Sequence, residues 1–147
     1  MIKFSVEFQK RLVMKELNLD DIKRHCLAKK GTFSEFSFGD DTLVFKVGNE
    51  KVSIDEQGKV KQAAKIFALI FTTKKPLWLN LKANPAESLV YREIYSFVKP
   101  GYHMNKRHWN TLVLDCNAEK SVVFEMIDQS YELVIAKLSK QIREKLL

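Results

Sequence analysis

Apolar and polar residues alternate with a period of two over residues 42–47. Leu43, Phe45 and Val47 fall on one side, and Thr42, Val44 and Lys46 on the other. That pattern predicts a half-buried strand. It returns over residues 77–82, where Leu77, Leu79 and Leu81 oppose Trp78, Asn80 and Lys82. The run at 65–72 is apolar enough for a central strand, and residues 109–114 form a further one. Lys74-Lys75-Pro76 supplies the turn between the second strand and the third. Residues 49–64 are polar and charged, with Gly58 as a turn residue, which predicts an extended hairpin or protruding loop.

Elsewhere the period is helical. Phe4, Phe8, Leu12 and Val13 recur at helix spacing among charges. A second helix is expected from Asn18, whose side chain can cap free N–H groups, with Asp20 and Asp21 in the dipole-favoured first turn. Ile22, Cys26 and Leu27 form its apolar stripe and Gly31 ends it. Asn84-Pro85-Ala86-Glu87 is a strong helix start: Asn84 caps, Pro85 suits the first helical position and Glu87 stands at the capping-box position. That helix is expected to run to about Phe97, before Pro100-Gly101. A long last helix begins at Glu119, with Val122, Val123, Met126, Ile127, Val134, Ile135 and Leu138 as its buried stripe and a kink or restart near Ser139.

Two helices, three strands, a helix, a strand and a last helix predict an α+β fold, an antiparallel β-sheet with helices packed on one face. A length of 147 residues suits one domain. There is no βαβα alternation and no glycine-rich phosphate loop, which argues against a doubly wound nucleotide fold. If Leu43, Phe45, Leu79 and Leu81 face the helices, the open face carries Thr42, Lys46, Trp78, Asn80 and Lys82. That face is either a basic, partly aromatic platform or an ordinary solvated surface.

Charge narrows the partners. Lys and Arg number 25 against 18 Asp and Glu, a net +7. The positive field favours anionic partners, or serves only solubility. The first residues lack the apolar core of a signal peptide and the longest apolar run, 66–71, is too short to span a bilayer, so a cytoplasmic location without membrane contact is expected. Cys26 and Cys116 form no disulfide framework and are expected as small buried hydrophobes.

The most distinctive segment is Pro100-Gly101-Tyr102-His103-Met104-Asn105-Lys106-Arg107-His108-Trp109-Asn110. No acidic residue occurs between positions 94 and 114. Lys and Arg neutralise phosphates, Asn donates hydrogen bonds and aromatic rings stack on bases, so Tyr102, His103, Asn105, Lys106, Arg107, His108 and Trp109 are candidate nucleic-acid or anion contacts. The alternative packs Tyr102 and Trp109 under the sheet and leaves the charges solvated. His103 and His108, five apart, are poorly spaced for one helix face, and no metal site is expected.

This string resembles the MmcQ/YjbR family of small bacterial proteins. The resemblance extends to Phe36-Ser37-Phe38-Gly39, to Asp41-Thr42-Leu43-Val44-Phe45-Lys46-Val47, to Asn80-Leu81-Lys82 and to Asp128-Gln129-Ser130-Tyr131-Glu132-Leu133-Val134. It implies a CyaY-like, double-wing architecture over residues 18–138 and DNA binding. Residues 1–17 stand as a helical extension before the usual family start, and 49–64 exceeds the usual hairpin. Frataxin-like proteins, which resemble this fold, hold iron on acidic surface. Here Lys3, Lys10, Arg11, Lys15, Lys23 and Arg24 stand among the acids, so no metal ridge is expected.

Nothing in the chain resembles a G-x-S-x-G elbow, a P-loop, H-E-x-x-H or zinc-ligand spacing. His25 and Cys26 are helix neighbours whose side chains diverge, and Asp40-Asp41 are expected to shape a turn. The expectation is a non-enzymatic protein without cofactor that binds nucleic acid with little sequence specificity, as a monomer or weak dimer. The alternatives are a protein-interaction or chaperone-like module and a binder of small phosphorylated anions.

Overall fold

A computed structural model describes residues 16–146. The helix expected around Phe4, Phe8, Leu12 and Val13 lies outside the described residues. Helix α1 spans Leu19–Leu27, and Asn18 caps it by accepting from the Asp21 N–H while the Asp21 carboxylate accepts from the Asn18 N–H. Four strands follow: β1 (Thr32–Glu35), β2 (Thr42–Ile54), β3 (Val60–Phe71) and β4 (Trp78–Lys82). Helix α2 covers Pro85–Ile94, started by Asn84 accepting from the Ala86 N–H. Then come β5 (Val98–Pro100), β6 (Trp109–Val113), α3 (Lys120–Ile135) and α4 (Lys140–Leu146).

The six strands form one antiparallel sheet in the order β1-β2-β3-β4-β6-β5. With the helices this makes an α+β fold. Helix α3 packs against β2, β3 and β4. Leu43, Phe45 and Val47 enter the core from β2, Leu79 and Leu81 from β4, and Val123, Ile127 and Val134 from α3. The polar segment at 49–64 is a hairpin: β2 and β3 continue to the pair Ile54↔Val60, and Asp55 closes the turn by accepting from the Gln57 and Lys59 N–H groups.

Two strands escaped the residue pattern. β1 and β5 are four and three residues long and lie at the sheet edges, too short to display a period. β5 also shortens α2 from the expected end near Phe97. Phe97 and Val98 are buried in the core, and the Phe97 carbonyl accepts from the Val113 N–H at 2.8 Å. Sheet pairing wins over helix propensity there, as tertiary context commonly does.

The second face of the sheet corrects the expected open platform. Directly paired residues share a face in an antiparallel sheet, so Thr42, Phe71 and Trp78 lie on the side opposite the core, as do Val44, Leu69, Asn80 and Thr111. Yet Thr42, Val44, Leu69, Asn80 and Thr111 are buried, Asn80 completely. The segment after β5 folds back over Asn80 and Thr111 and lies beside Thr42 and Leu69. Alternation identified the side on which each residue points and could not reveal that a loop covers it.

Candidate functional site

The covering loop, residues 101–108, is built by polar contacts from two directions. From the sheet, Asn80 Nδ2 donates to the Tyr102 carbonyl at 2.8 Å, Thr111 Oγ1 donates to Asn80 Oδ1 at 2.5 Å, and the Tyr102 N–H donates to Thr111 Oγ1 at 2.8 Å. From α2, Arg92 Nε donates to Asn110 Oδ1 at 2.8 Å while its Nη2 donates to the Lys106 and Trp109 carbonyls. Ser88 Oγ donates to the same Asn110 oxygen at 2.7 Å. Gly101 is needed where the loop leaves β5, since a Cβ there would stand 2.8 Å from the Trp109 backbone oxygen. Asn105 shapes the far end: its side chain accepts from the Arg107 N–H and its carbonyl from the Trp109 N–H.

A concavity lies on each flank of the loop. The first, of about 480 Å³, is lined by Phe38, Asp41, Phe71 and Lys74 on one side and Tyr102 and His103 on the other. Tyr102 meets Phe71 edge-on at 5.3 Å and Trp78 edge-on at 5.1 Å. Lys74 Nζ stands 4.6 Å from the Trp78 ring centre and 5.4 Å from that of Tyr102, within cation–π range. His103 has φ +57°, an uncommon left-handed backbone for a residue with a side chain. The second concavity, of about 300 Å³, lies between the first turns of α2 and the loop and is lined by Ser88, Leu89, Arg92, Lys106 and Arg107 without a carboxylate.

The expected site residues therefore separate. Tyr102 and His103 belong to the first concavity, and Lys106 and Arg107 to the second. Asn105 shapes the turn. His108 is exposed, with its carbonyl accepting from the Ala83 N–H, and Trp109 is half-buried at the start of β6. Trp78 backs Tyr102. Three expectations need correction. Asn80 has no solvent exposure and holds the loop instead of offering its amide to a ligand. Lys46 is turned into an ion pair with Glu35 and donates to Gln62 Oε1 at 2.9 Å. Hydrogen bonds from Lys46 and Ser37 hold the Glu35 carboxyl below its usual range. Lys82 lies at the other end of β4 from Trp78, where burial, then Lys137 and Lys65, lower its pKa. Lys46, Trp78, Asn80 and Lys82 do not share one accessible surface.

Arg92, Ser88, Thr111, Lys74, Phe38 and Asp41 were absent from the expected set. Arg92 and Ser88 sit four apart on one face of α2, but only the fold brings that face to the loop. Phe38 and Asp41 flank the β2 start, and only the pairing Thr42↔Phe71 sets them beside Tyr102.

The other cysteine and histidine positions divide between core, ion pair and surface. Burial pushes the Cys26 thiol up to about 12, with Lys29 opposing and Asp128 adding to the shift, so Cys26 is protonated at neutral pH. His25 Nε2 is 2.7 Å from Asp128 Oδ1, and its ring stacks on Phe124 at 3.9 Å. Lys29 joins the same carboxylate, closing a clasp between α1 and α3. Cys116, expected to be buried, is exposed, because it lies in the loop after β6. Treating the native protein with a thiol reagent at neutral pH should label Cys116 alone, with Cys26 reacting only after unfolding. Two labels on the folded protein would contradict the burial of Cys26. Among the described residues no group of His, Cys, Asp and Glu is placed to hold a metal ion, and no helix is long and apolar enough to cross a membrane.

Several known proteins are similar to this chain. The family model described as YjbR matches residues 27–133. The YbdF protein of Escherichia coli O157:H7 is 33% identical over 104 residues, 71% of this chain and 73% of its own length. The YjbR protein of Escherichia coli K12 is 25% identical over 130 residues, 88% of this chain and 98% of its own. A crystal structure from Deinococcus radiodurans with a DUF419 domain superposes with a TM-score of 0.77 at 32% identity, over 90% of each chain. A Pseudomonas syringae structure, at 21% identity and a TM-score of 0.59 over 80% of this chain and 99% of its own, shares the fold. The matched span runs from the end of α1 into α3 and takes in the whole sheet, both concavities and the loop between them: the chain belongs to the YjbR family.

Proposed function

We propose that the protein is a non-catalytic nucleic-acid-binding module whose contact surface is the 101–108 loop. The observation that carries this reading is the joining, within one braced loop, of a carboxylate-free cationic cleft (Arg92, Lys106, Arg107) and an aromatic concavity (Phe71, Tyr102, His103). Met104, which also lines the first concavity, and Lys106 are two residues apart, so the two flanks lie within about 7 Å along the chain. Phosphate-neutralising and base-stacking groups thus stand within the reach of neighbouring parts of one nucleotide chain. The net charge of +7 supports attraction of such a polyanion.

Phosphate contacts release counterions, so affinity should fall steeply with salt. The double variant Lys106→Glu/Arg107→Glu should lose at least about tenfold in affinity for labelled DNA or RNA at low salt. Its salt dependence should be shallower by roughly one to two counterions. Both residues are exposed, but Lys106 Nζ donates to the Gly101 carbonyl at 3.1 Å, so the unfolding temperature should fall by no more than the loss of about one hydrogen bond, roughly 1 kcal/mol, implies. Absence of binding by the parent at low salt would refute the reading.

One observation favours a protein partner instead. Leu89, Val90 and Ile94 expose 62%, 51% and 64% of their surface on α2. Binding through that flank would depend weakly on salt.

A further inference from the structure

We infer that the concavity of about 480 Å³ between the Asp41 turn and Tyr102 receives a single unpaired nucleobase. The inference rests on the nucleic-acid reading and adds what is bound there: a base without its pairing partner, hence single-stranded nucleic acid. The volume lies in the range of small-ligand sites, about 300–1,000 Å³. A base still stacked and paired in a duplex cannot enter such a hollow, so the nucleotide must present it splayed out.

The walls suit a flat heteroaromatic ring. Tyr102 is locked edge-on by Phe71 and Trp78, and its carbonyl is held by Asn80, so that wall exists before a ligand arrives. Phe38 also lines the hollow, with 62% of its surface exposed. A single exposed phenylalanine is unremarkable on a protein surface, but this one borders a hollow whose other walls are already aromatic. Gly39, at φ +102°, turns the chain just after it. His103, in its left-handed backbone, adds a second ring beside Tyr102 at 3.9 Å. Departures of that kind gather at ligand sites.

Two charged groups give the hollow polarity. The Asp41 carboxylate accepts one long side-chain hydrogen bond, from Thr42 Oγ1 at 3.4 Å, and an ionised carboxylate has lone pairs for several donors. It suits the amino groups of adenine, cytosine or guanine better than thymine or uracil, which carry none. Lys74, held over Trp78 and Tyr102, places a positive charge on the same wall, suited to a backbone phosphate.

The test compares labelled probes of equal length: a mixed-sequence single strand, the same strand with abasic residues at the same phosphate count, oligo(dA), oligo(dT), and a duplex, whose second strand doubles the phosphates. Anisotropy is read at low and near-physiological salt for the parent, Phe38→Ala, Asp41→Asn and the Lys106→Glu/Arg107→Glu variant. Stacking on an aromatic side chain predicts that the parent binds the intact strand about tenfold more tightly than the abasic strand. Phe38→Ala should lose that advantage while keeping its unfolding temperature, since the ring is exposed. Asp41→Asn should erase a preference for oligo(dA) over oligo(dT). If the parent binds intact and abasic strands equally while Lys106→Glu/Arg107→Glu still weakens both, the nucleobase site is overturned and the phosphate reading stands. If no probe binds, both fall.

Discussion

Asn80→Leu should destabilise the protein by about 3 kcal/mol and release the 101–108 loop. Leucine has as many side-chain heavy atoms as asparagine but is bulkier, so some overpacking adds to the loss of hydrogen bonding. Asn80 is fully buried, donates its amide N–H to the Tyr102 carbonyl and accepts from the Thr111 hydroxyl at its amide oxygen. The substitution strands a carbonyl and a hydroxyl, each costing about 1–3 kcal/mol when left without a partner. For a chain of this length, 3 kcal/mol corresponds to roughly 6–12 °C in Tm. Thr111→Val on top of Asn80→Leu removes one orphaned group, so the double variant should be less destabilised than the sum of the singles. The Tyr102 N–H also loses its acceptor in that variant, so recovery is partial. Strict additivity in urea unfolding would show that the three groups do not act as a network. Under the proposed nucleic-acid reading, Asn80→Leu should also weaken that binding without touching a ligand, because the loop carries Lys106 and Arg107.

Phe67→Ala should be more severe, at about 4 kcal/mol. Phe67 lies at the irregularity in β3, where Phe45 pairs with Ala68 but Lys46 pairs with Ile66. The extra residue breaks the alternation, so Phe67 and Ala68 both enter the core. The ring has no solvent exposure and meets Tyr131 edge-on at 5.4 Å. Its carbonyl accepts from Ser130 Oγ at 2.5 Å, and Ser130 Oγ in turn accepts from the Lys82 N–H at 2.9 Å. This ties β3 and β4 to α3 at one point. The pinned backbone limits collapse into the cavity, placing the cost in the upper part of the usual range for such truncations. Against typical total stabilities of about 5–15 kcal/mol, that is a large share. Phe67→Leu should cost about 1–2 kcal/mol in the same urea titration. A loss below about 1 kcal/mol for the alanine variant would mean that the site collapses freely.

Much of the framework was legible from residue order because it depends on local chemistry. Asn18 and Asn84 start helices where they were expected, since a cap needs only a side-chain acceptor and the next turn's N–H groups. The strands around Leu43–Val47 and Leu79–Leu81 followed from alternation. The last helix followed from its apolar stripe, and its restart after Ser139 appears as α4. The string from Pro100 to Asn110 marked the family and the loop that joins the two concavities. The candidate residues were legible only in part: Tyr102, His103, Lys106 and Arg107 stand out by residue type, but their division between two hollows does not.

What residue order could not determine depends on groups far apart in the chain. β1 and β5 exist because edge pairing completes their hydrogen bonds, not because three or four residues carry a period. Asn80 and Trp78 were assigned the correct side of the sheet, but whether that side was open depended on Thr111 and Tyr102, 31 and 22 positions from Asn80. Lys46 looked available until the strand pairing brought Glu35 beside it. Composition and period determined which residues seek burial and which way each points along its own strand or helix. Tertiary structure alone decided which polar groups find partners, because a buried hydrogen bond is satisfied by whatever the fold brings within about 3 Å, irrespective of sequence distance.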